Sequence, residues 1–185
     1  NDGKGHLEDD ALLAGVALDK NGRTNGNMGI EYADINNDGR LDFLTTTYQE
    51  EMPIYYENLG PGIYNDSTTK AKIDSKLLAH VKWGIGAVDF DNDGSKDIFV
   101  ACGHFLPNIR FIDDRTSVKV PNFLLANNGK GVFRDVSNST GTALLEVESS
   151  RAAAFDDLDN DGDVDIVVLN VNARPTLGRT AVHTA

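Results

Sequence analysis

The hydrophobic residues of the chain fall into short runs separated by polar turns. Three runs rich in β-branched and aromatic residues occupy positions 43–48, 98–101 and 166–169, and shorter apolar runs precede them at 29–33, 84–88 and 152–155. Runs of this length are typical of strands buried on both faces. Apart from residues 68–80, no segment has a helix-length amphipathic pattern. The pattern therefore predicts an all-β fold.

A nine-residue acidic loop joins the two strands of each pair, at residues 34–42, 89–97 and 157–165. Each loop has Asp or Asn at positions 1, 3, 5 and 9 and Gly at position 6. Oxygen donors from one tightly turned loop suit a hard cation such as Ca²⁺, which takes six to eight oxygen ligands. Glycine supplies the positive φ that such a turn needs. We expect about three calcium ions, one in each loop.

The predicted ligands are the side-chain oxygens at positions 1, 3, 5 and 9 and the backbone carbonyl at position 7. In chain order they are Asp34, Asn36, Asp38, Arg40, Asp42, Asp89, Asp91, Asp93, Ser95, Asp97, Asp157, Asp159, Asp161, Asp163 and Asp165.

Two other interpretations of these loops are less consistent with the sequence. An EF-hand would carry Glu at position 12 and continue into a helix, whereas Thr45, Val100 and Val168 stand there, within predicted strands. Asp-Asn-Gly clusters also form ordinary turns. Three copies with the same ligand spacing between the same strand types favour calcium. We expect the first site to be the weakest, because Asn36 replaces an acid.

Two further motifs repeat with the loops. A Gly-x-Gly-x-(aromatic or Leu)-x-Asp motif, which predicts a tight glycine hairpin leading into a strand, lies within residues 2–9, 59–66 and 128–135. A proline begins another short segment at positions 53, 121 and 175. Acidic loops recur after 55 and 68 residues, and glycine motifs after 57 and 69. Self-similarity at this period indicates solenoids, propellers or arrays. Four short strands per unit predict three four-stranded propeller blades.

We place the units at residues 1–57, 58–126 and 127–185, with an insertion at 103–120. Because the chain begins at Asn1 inside a glycine motif, we expect a processed product or a fragment. Head-to-tail docking would continue the blade series through another copy.

The segments AVDFDNDG at 87–94 and FRDV at 133–136 resemble bacterial FG-GAP proteins of the ASPIC/UnbV kind. The chain from 1 to 177 resembles the FG-GAP/VCBS repeats of integrin α-subunit-like propellers. This resemblance implies a calcium-bearing β-propeller, usually outside the cytoplasm, with about seven blades. The sequence departs from that pattern because it holds three units and lacks an ASPIC-type domain after Arg174.

Composition limits the class of partner. The net charge of −12 argues against a nucleic-acid surface, and eleven carboxylates stand at ligand positions. Three Ca²⁺ ions would reduce the net charge to −6. With Cys102 as the single cysteine, no intrachain disulfide forms. No apolar run approaches the ~20 residues of a membrane helix, so we expect no membrane insertion. The resemblance, together with the millimolar calcium found outside cells, implies an extracellular, cell-surface or periplasmic location.

We expect a non-catalytic module that recognises a protein or glycan ligand in adhesion. The histidines at 6, 80, 104 and 183 are scattered, without metal or triad spacing. One alternative is a structural subunit that self-assembles head-to-tail into a ring or filament. A second is a calcium-dependent polysaccharide-active enzyme, whose candidate acid pairs are Glu146 with Glu148 and Asp113 with Asp114. Trp83 would then be a sugar-stacking platform, although a core aromatic is the simpler interpretation.

Overall fold

The structure is a computed structural model that describes residues 3–180, and it is built from three antiparallel sheets. The strands of the first sheet are β1 (Ile30–Ala33), β2 (Asp42–Thr45), β3 (Ile54–Gly60) and β4 (Ile63–Asp66). Those of the second are β5 (Lys82–Val88), β6 (Asp97–Cys102), β7 (Phe123–Asn127) and β8 (Phe133–Asp135). Those of the third are β9 (Ser150–Asp156), β10 (Asp165–Asn170) and β11 (Thr176–Gly178).

Each sheet is a meander in which neighbours in sequence are neighbours in space. The prediction of an all-β fold is confirmed, and strands lie on both sides of every acidic loop as predicted. The third sheet has three strands within residues 3–180, one fewer than the four predicted. The described residues form an open stack of sheets and no closed ring.

The helices are single turns in the connections between strands. They are α1 (Ala11–Ala14), α2 (Thr68–Ala71) and the 3₁₀ turns Ser75–Ala79, Ile109–Phe111, Ser137–Ser139 and Ala143–Leu145. The amphipathic pattern at 68–80 therefore becomes two short turns. No helix of residues 3–180 has the length and apolar character needed to span a bilayer.

The sheets are offset from the sequence units. The strand β4, the last of the first sheet, lies in the second unit, and β8, the last of the second sheet, lies in the third. Units one and three also extend to residues 1–2 and 181–185, which lie outside the described residues. The predicted insertion falls within the connection from β6 to β7.

The first copy of the glycine motif behaves differently from the other two. In the second and third copies the motif forms a turn that leads into β4 and β8. Residues 3–9 form no strand, so the predicted strand is wrong there, and Asp2 lies outside the described residues. The physical reason is that a strand needs a neighbouring edge with which to exchange backbone hydrogen bonds, and no sheet of residues 3–180 precedes β1.

Two hydrophobic cores hold the stack together. The core between the first and second sheets contains Leu44, Tyr55, Ile98 and Phe133 among its buried residues. The core between the second and third sheets joins Phe90, Phe99 and Leu124 to Ile166 and Val168. Successive residues of one strand point to opposite faces, so Ile98 packs toward the first sheet and Phe99 toward the third. The second sheet is consequently buried on both faces.

The first strands of consecutive sheets run beside one another, with β1 against β5 and β5 against β9. Glycines permit this close approach. A Cβ on Gly84 would lie 3.0 Å from the Cα of Ala152, and a Cβ on Gly86 would meet the ring of Phe155. Both approaches are too close for an ordinary Cβ contact, so these glycines set the spacing between β5 and β9.

Lys82, at the start of β5, is fully buried. Its Nζ donates hydrogen bonds to the carbonyl oxygens of Tyr48 (2.7 Å), Leu77 (3.2 Å) and Glu51. Burial lowers the pKa of Lys82 to about 8. Three acceptors match the three ammonium protons, so the side chain ties the residue 48–51 loop and the 3₁₀ turn at 75–79 to β5.

Gly86→Ala should reduce the free energy of unfolding by about 1–3 kcal/mol, as overpacked core positions do. Chemical denaturation measures the change. The same substitution in a Phe155→Ala background should be less destabilising, because the ring that the new methyl meets is gone. An equal loss in both backgrounds would show that the interface between β5 and β9 is not what requires glycine.

Candidate metal centres

The second acidic loop folds around the carboxylate of Asp89. Its Oδ1 accepts a hydrogen bond from the backbone N–H of Asp93 (3.0 Å), and its Oδ2 accepts one from Gly94 (2.9 Å). Asn92 and Gly94 have φ values of 56° and 87°, in the left-handed region that Asn and Gly tolerate best. This local chemistry explains why Asn and Gly stand at positions 4 and 6.

The other two loops repeat the same bonds. Asp34 accepts from the N–H groups of Asp38 (2.9 Å) and Gly39 (2.8 Å). Asp157 accepts from those of Asp161 (3.1 Å) and Gly162 (3.0 Å). Positions 4 and 6 again have positive φ, between 57° and 95°. The three loops therefore share one backbone conformation, which the shared sequence pattern produces.

The turn brings the first three acidic positions of a loop together. Oxygens of Asp89, Asp91 and Asp93 lie within 4.8 Å of one another, and so do those of Asp157, Asp159 and Asp161. In the first loop, the Oδ1 atoms of Asp34 and Asn36 converge on the same N–H, that of Asp38 (2.9 and 3.1 Å).

The donor set of these clusters is made only of oxygen. Three carboxylates at such close range repel one another unless a cation lies between them. Oxygen donors fit a hard divalent cation better than a soft one.

The position-9 aspartates have a role that sequence reasoning missed. Asp42, Asp97 and Asp165 were predicted as ligands alongside the other positions, but Asp97 and Asp165 lie outside the two clusters of close carboxylates. All three are buried. Each accepts a hydrogen bond at Oδ2 from the position-2 N–H, at 3.2, 3.4 and 3.3 Å.

The other oxygen of each position-9 aspartate accepts a hydrogen bond from the third strand of its sheet or, in the third sheet, from Thr180, two residues after the end of β11. The N–H groups of Asn58, Asn127 and Thr180 donate to Oδ1 of Asp42, Asp97 and Asp165, at 2.7, 2.8 and 3.1 Å. One carboxylate therefore joins the start of the loop to the second and third strands. The sequence feature that accompanies this role is an Asn two residues before the first glycine of the Gly-x-Gly motif, at positions 58 and 127.

Burial and neighbouring charge perturb these carboxylates. Burial, reinforced by the charges of Asp91 and Asp93, raises the pKa of Asp97 to about 6. Burial, with a smaller contribution from Asp38, also raises the pKa of Asp42. Both groups are therefore costly to ionise in the folded protein without a cation.

The first loop has additional contacts. The hydroxyl of Tyr55 donates to Oδ2 of Asp42 (2.8 Å). The guanidinium of Arg40 lies 2.5 Å from a carboxylate oxygen of Asp38 and also donates to the carbonyl of Asn58. Arg40 thus neutralises the charge of a predicted ligand of the first site. The residues at the same position in the other loops, Ser95 and Asp163, have no positive charge.

The acidic loops of the three sheets lie side by side, at the same end of the strands. Asn92 of the second loop donates to Asp163 of the third (2.7 Å), and Asn37 of the first donates to the carbonyl of Gly129 in the turn before β8 (3.5 Å). An ordered loop in one sheet therefore supports the loop of its neighbour.

The residues considered for catalysis are held in other contacts. Asp113 pairs with Arg115 (2.7 Å), and Glu148 pairs with Lys119 (2.7 Å). The indole N–H of Trp83 donates to the carbonyl of Gly103 (2.7 Å).

The histidines are dispersed. The ring Nδ1 of His80 lies 3.1 Å from the Thr116 hydroxyl, and that of His104 accepts from the N–H of Leu106 (3.0 Å). His183 lies outside the described residues.

In the presence of a chelator, the free energy of unfolding of Asp97→Asn relative to that of the wild type should be higher at pH 7.5 than at pH 5. The raised pKa of Asp97 makes its ionised form unfavourable above pH 6, and this cost disappears on protonation. Burial also lowers the pKa values of His80 and His104. Their protonation changes the stability of both proteins equally, so it cancels in the comparison.

Chemical denaturation at the two pH values measures this comparison. Asp114→Asn is the matched control, because it makes the same change at an exposed site. A stability difference between Asp97→Asn and wild type that does not vary with pH would contradict the prediction.

Comparison with known proteins finds a family model that matches part of the chain. Residues 34–100 match the family model described as FG-GAP-like repeat. The matched segment contains the first and second acidic loops, the strands from β2 to β5 and most of β6. No curated protein matches the chain. Over residues 34–100, the resemblance to FG-GAP-type repeats that the sequence predicts is thus confirmed.

Proposed function

We propose that the chain forms three consecutive blades of a calcium-binding β-propeller that serves as a recognition module. The observation that carries this proposal is the identical fold of three acidic loops on three consecutive sheets. The match of residues 34–100 to FG-GAP-like repeats supports the same function.

The case for calcium rests on charge. Two loops each hold three carboxylates within 4.8 Å, and a net charge of −12 opposes compaction of the whole chain. A divalent cation in each loop would offset both costs, and its binding would be linked to folding. The first site should be the weakest, since Asn36 supplies a neutral oxygen and Arg40 already contacts Asp38.

The case for propeller blades rests on how the sheets stack. Propellers place the first strand of each blade next to that of its neighbour around a central axis, and β1, β5 and β9 have this relation. The outer face of the third sheet exposes Leu169 and Leu177, at 51% and 48% of their surface. Apolar sheet faces of this kind are suited to a further blade.

The proposed recognition surface is the loop between β6 and β7, which lies at the end of the strands opposite the acidic loops. Phe111 and Ile112 on this loop are 93% and 68% exposed. Asp113 accepts from the amide of Gln49 (2.6 Å), which fixes the loop to the first sheet. Exposed aromatic residues on a fixed loop suit either a protein surface or the apolar face of a sugar. A protein or glycan ligand outside the cytoplasm fits this surface, and millimolar extracellular calcium fits the sites.

Asp93→Ala should lower the melting temperature in calcium and change it little in chelator. The Asp93 carboxylate is one of three clustered oxygen donors and accepts one hydrogen bond within the turn, from the N–H of Ser95 (2.7 Å). Its removal should therefore weaken ion binding more than it weakens the turn. Differential scanning calorimetry in both buffers measures the effect, with Asp114→Ala as a control of equal charge change. An equal loss in calcium and chelator would mean that the loop is only a turn.

Phe111→Ala should abolish binding to ligands found on a protein or glycan array while leaving the melting temperature unchanged. The side chain is almost fully exposed, so its loss removes contact area without disturbing the core. Leu59→Ala, at another exposed apolar side chain, is the matched control and should retain binding. Ligands that bind equally well after Phe111→Ala would place recognition elsewhere, and the lack of any calcium-dependent ligand would contradict the proposed function.

A further inference from the structure

One position of each sheet lies beside the contact that the position-9 aspartate makes. The N–H groups that donate to Oδ1 of these aspartates belong to Asn58, Asn127 and Thr180, and the strand registers align the three residues with one another. The residues just before them are therefore equivalent. We call their place the facing position, because its side chain contacts position 3 of the acidic loop in the first and third sheets. It is occupied by Glu57, Ala126 and Arg179.

In the first sheet, the facing residue Glu57 holds the side-chain amide of Asn36. The Nδ2 of Asn36 donates to Oε1 of Glu57 (3.2 Å), while its Oδ1 accepts from the N–H of Asp38 within the loop (3.1 Å). In the second loop, Oδ1 of Asp91 accepts the equivalent bond from Asp93 (3.2 Å). The oxygen of Asn36 thus takes the place of a carboxylate oxygen, and its nitrogen is directed to β3.

The orientation of this amide matters because its two ends have opposite chemistry. The amide oxygen can bind a cation, whereas the NH₂ group only donates and would present its hydrogens to the ion. A carboxylate such as that of Asp91 has two oxygens and suits a cation either way round. The first loop, with Asn36 at position 3, therefore needs a partner that holds the amide nitrogen away from the ion.

Two neighbours hold Glu57 in place. Its Oε2 accepts from the hydroxyl of Ser67 (2.6 Å), and the Nζ of Lys70 donates to both carboxylate oxygens (2.9 and 3.0 Å). The side chain of Glu57 is 13% exposed. Because Lys70 balances the charge of Glu57, the contribution of Glu57 to the site comes from the direction of its hydrogen bond rather than from added charge.

The facing position has no such task in the other two sheets. Ala126 has no polar side-chain atom, and the loop of its sheet has the carboxylate of Asp91 at position 3. In the third sheet, Nη1 of Arg179 lies 3.5 Å from Oδ2 of Asp159. A hydrogen-bond acceptor thus stands at the facing position in the sheet whose loop has an amide at position 3.

We propose that Glu57 is a positioning residue of the first calcium site and keeps the oxygen of Asn36 directed toward the ion. The inference rests on the proposed calcium binding, and it adds to the first site a residue from outside the nine-residue loop. It explains how a loop with a neutral position 3, whose Asp38 also contacts Arg40, keeps an ordered set of oxygen donors.

A calcium titration followed by NMR tests this inference loop by loop. The N–H groups of Gly39, Gly94 and Gly162 each donate to the position-1 aspartate of their own loop, so their amide signals report the three sites separately. Glu57→Ala should weaken the binding reported by Gly39 about tenfold, as the loss of a residue that orients a ligand does. The curves of Gly94 and Gly162 should match those of the wild type and serve as internal controls.

The matched control is Glu148→Ala. Glu148 is also an ion-paired glutamate, 2.7 Å from Lys119, but it precedes β9 at the end of the strands opposite the acidic loops. Its removal should leave all three curves unchanged. Glu57→Gln, which keeps an oxygen acceptor for the amide, should lose less affinity than Glu57→Ala. An equal loss in these two variants would show that orientation of the amide is not the cause.

A double-mutant cycle with Asn36→Asp separates positioning from a general structural role. Once position 3 is a carboxylate, no amide has to be oriented, so Glu57→Ala should no longer weaken calcium binding at the first loop. A structural role alone would weaken binding equally in both backgrounds, and that result would overturn the inference.

The same titration separates this inference from the proposed function. A Gly39 curve that Glu57→Ala leaves unchanged, or a Gly39 signal that ignores calcium while Gly94 and Gly162 respond, would overturn the role of Glu57 alone. Only the failure of all three glycines to respond would contradict calcium binding itself, and the inference would then fall with it.

Discussion

In every sheet, a buried aspartate carboxylate at the start of the second strand joins the acidic loop to the chain at the end of the third strand. In the second sheet, Asp97 accepts the N–H of Phe90 from the loop and the N–H of Asn127 from the third strand. A buried carboxylate is unfavourable unless hydrogen bonds and opposite charge compensate for its lost hydration. The hydrogen bonds are present, and the proposed cation in the adjacent cluster of carboxylates would supply the opposite charge. The strand junction and the proposed ion are therefore coupled through one side chain.

The stacking of the sheets follows from the alternation of side chains along each second strand. Ile98 faces the first sheet and Phe99 the third, so the two faces of β6 belong to different cores. The same alternation occurs in β2, where Leu44 faces the second sheet and Phe43 the opposite side. Each end sheet of the stack therefore keeps one face that no other described sheet covers, and the proposed series of blades would continue from these faces.

Much of the candidate site could be predicted from the sequence because its determinants are local. Asp at position 1, Asn at position 4 and Gly at position 6 form their contacts within a few residues, so the spacing alone indicates the turn. The roles of Asp42 and Tyr55 could not be predicted in the same way, because their bond joins β2 to β3. The sequence likewise predicts only a carbonyl ligand from Arg40, and the guanidinium contact with Asp38 depends on how the side chain folds back over the loop.

Most of the strands, the acidic turns and the repeat can be predicted from the amino-acid sequence, since each follows from hydrogen bonding and side-chain alternation over short distances. Which copies of a motif become strands depends on long-range packing. Residues 3–9 and 128–135 share one motif, yet only the second forms a strand, because β7 offers it an edge and a core in which to bury Phe133. The burial of Lys82 among backbone carbonyls was decided at the same level. Distant parts of the chain form the strand edge and the buried acceptors, so a local sequence pattern cannot predict them.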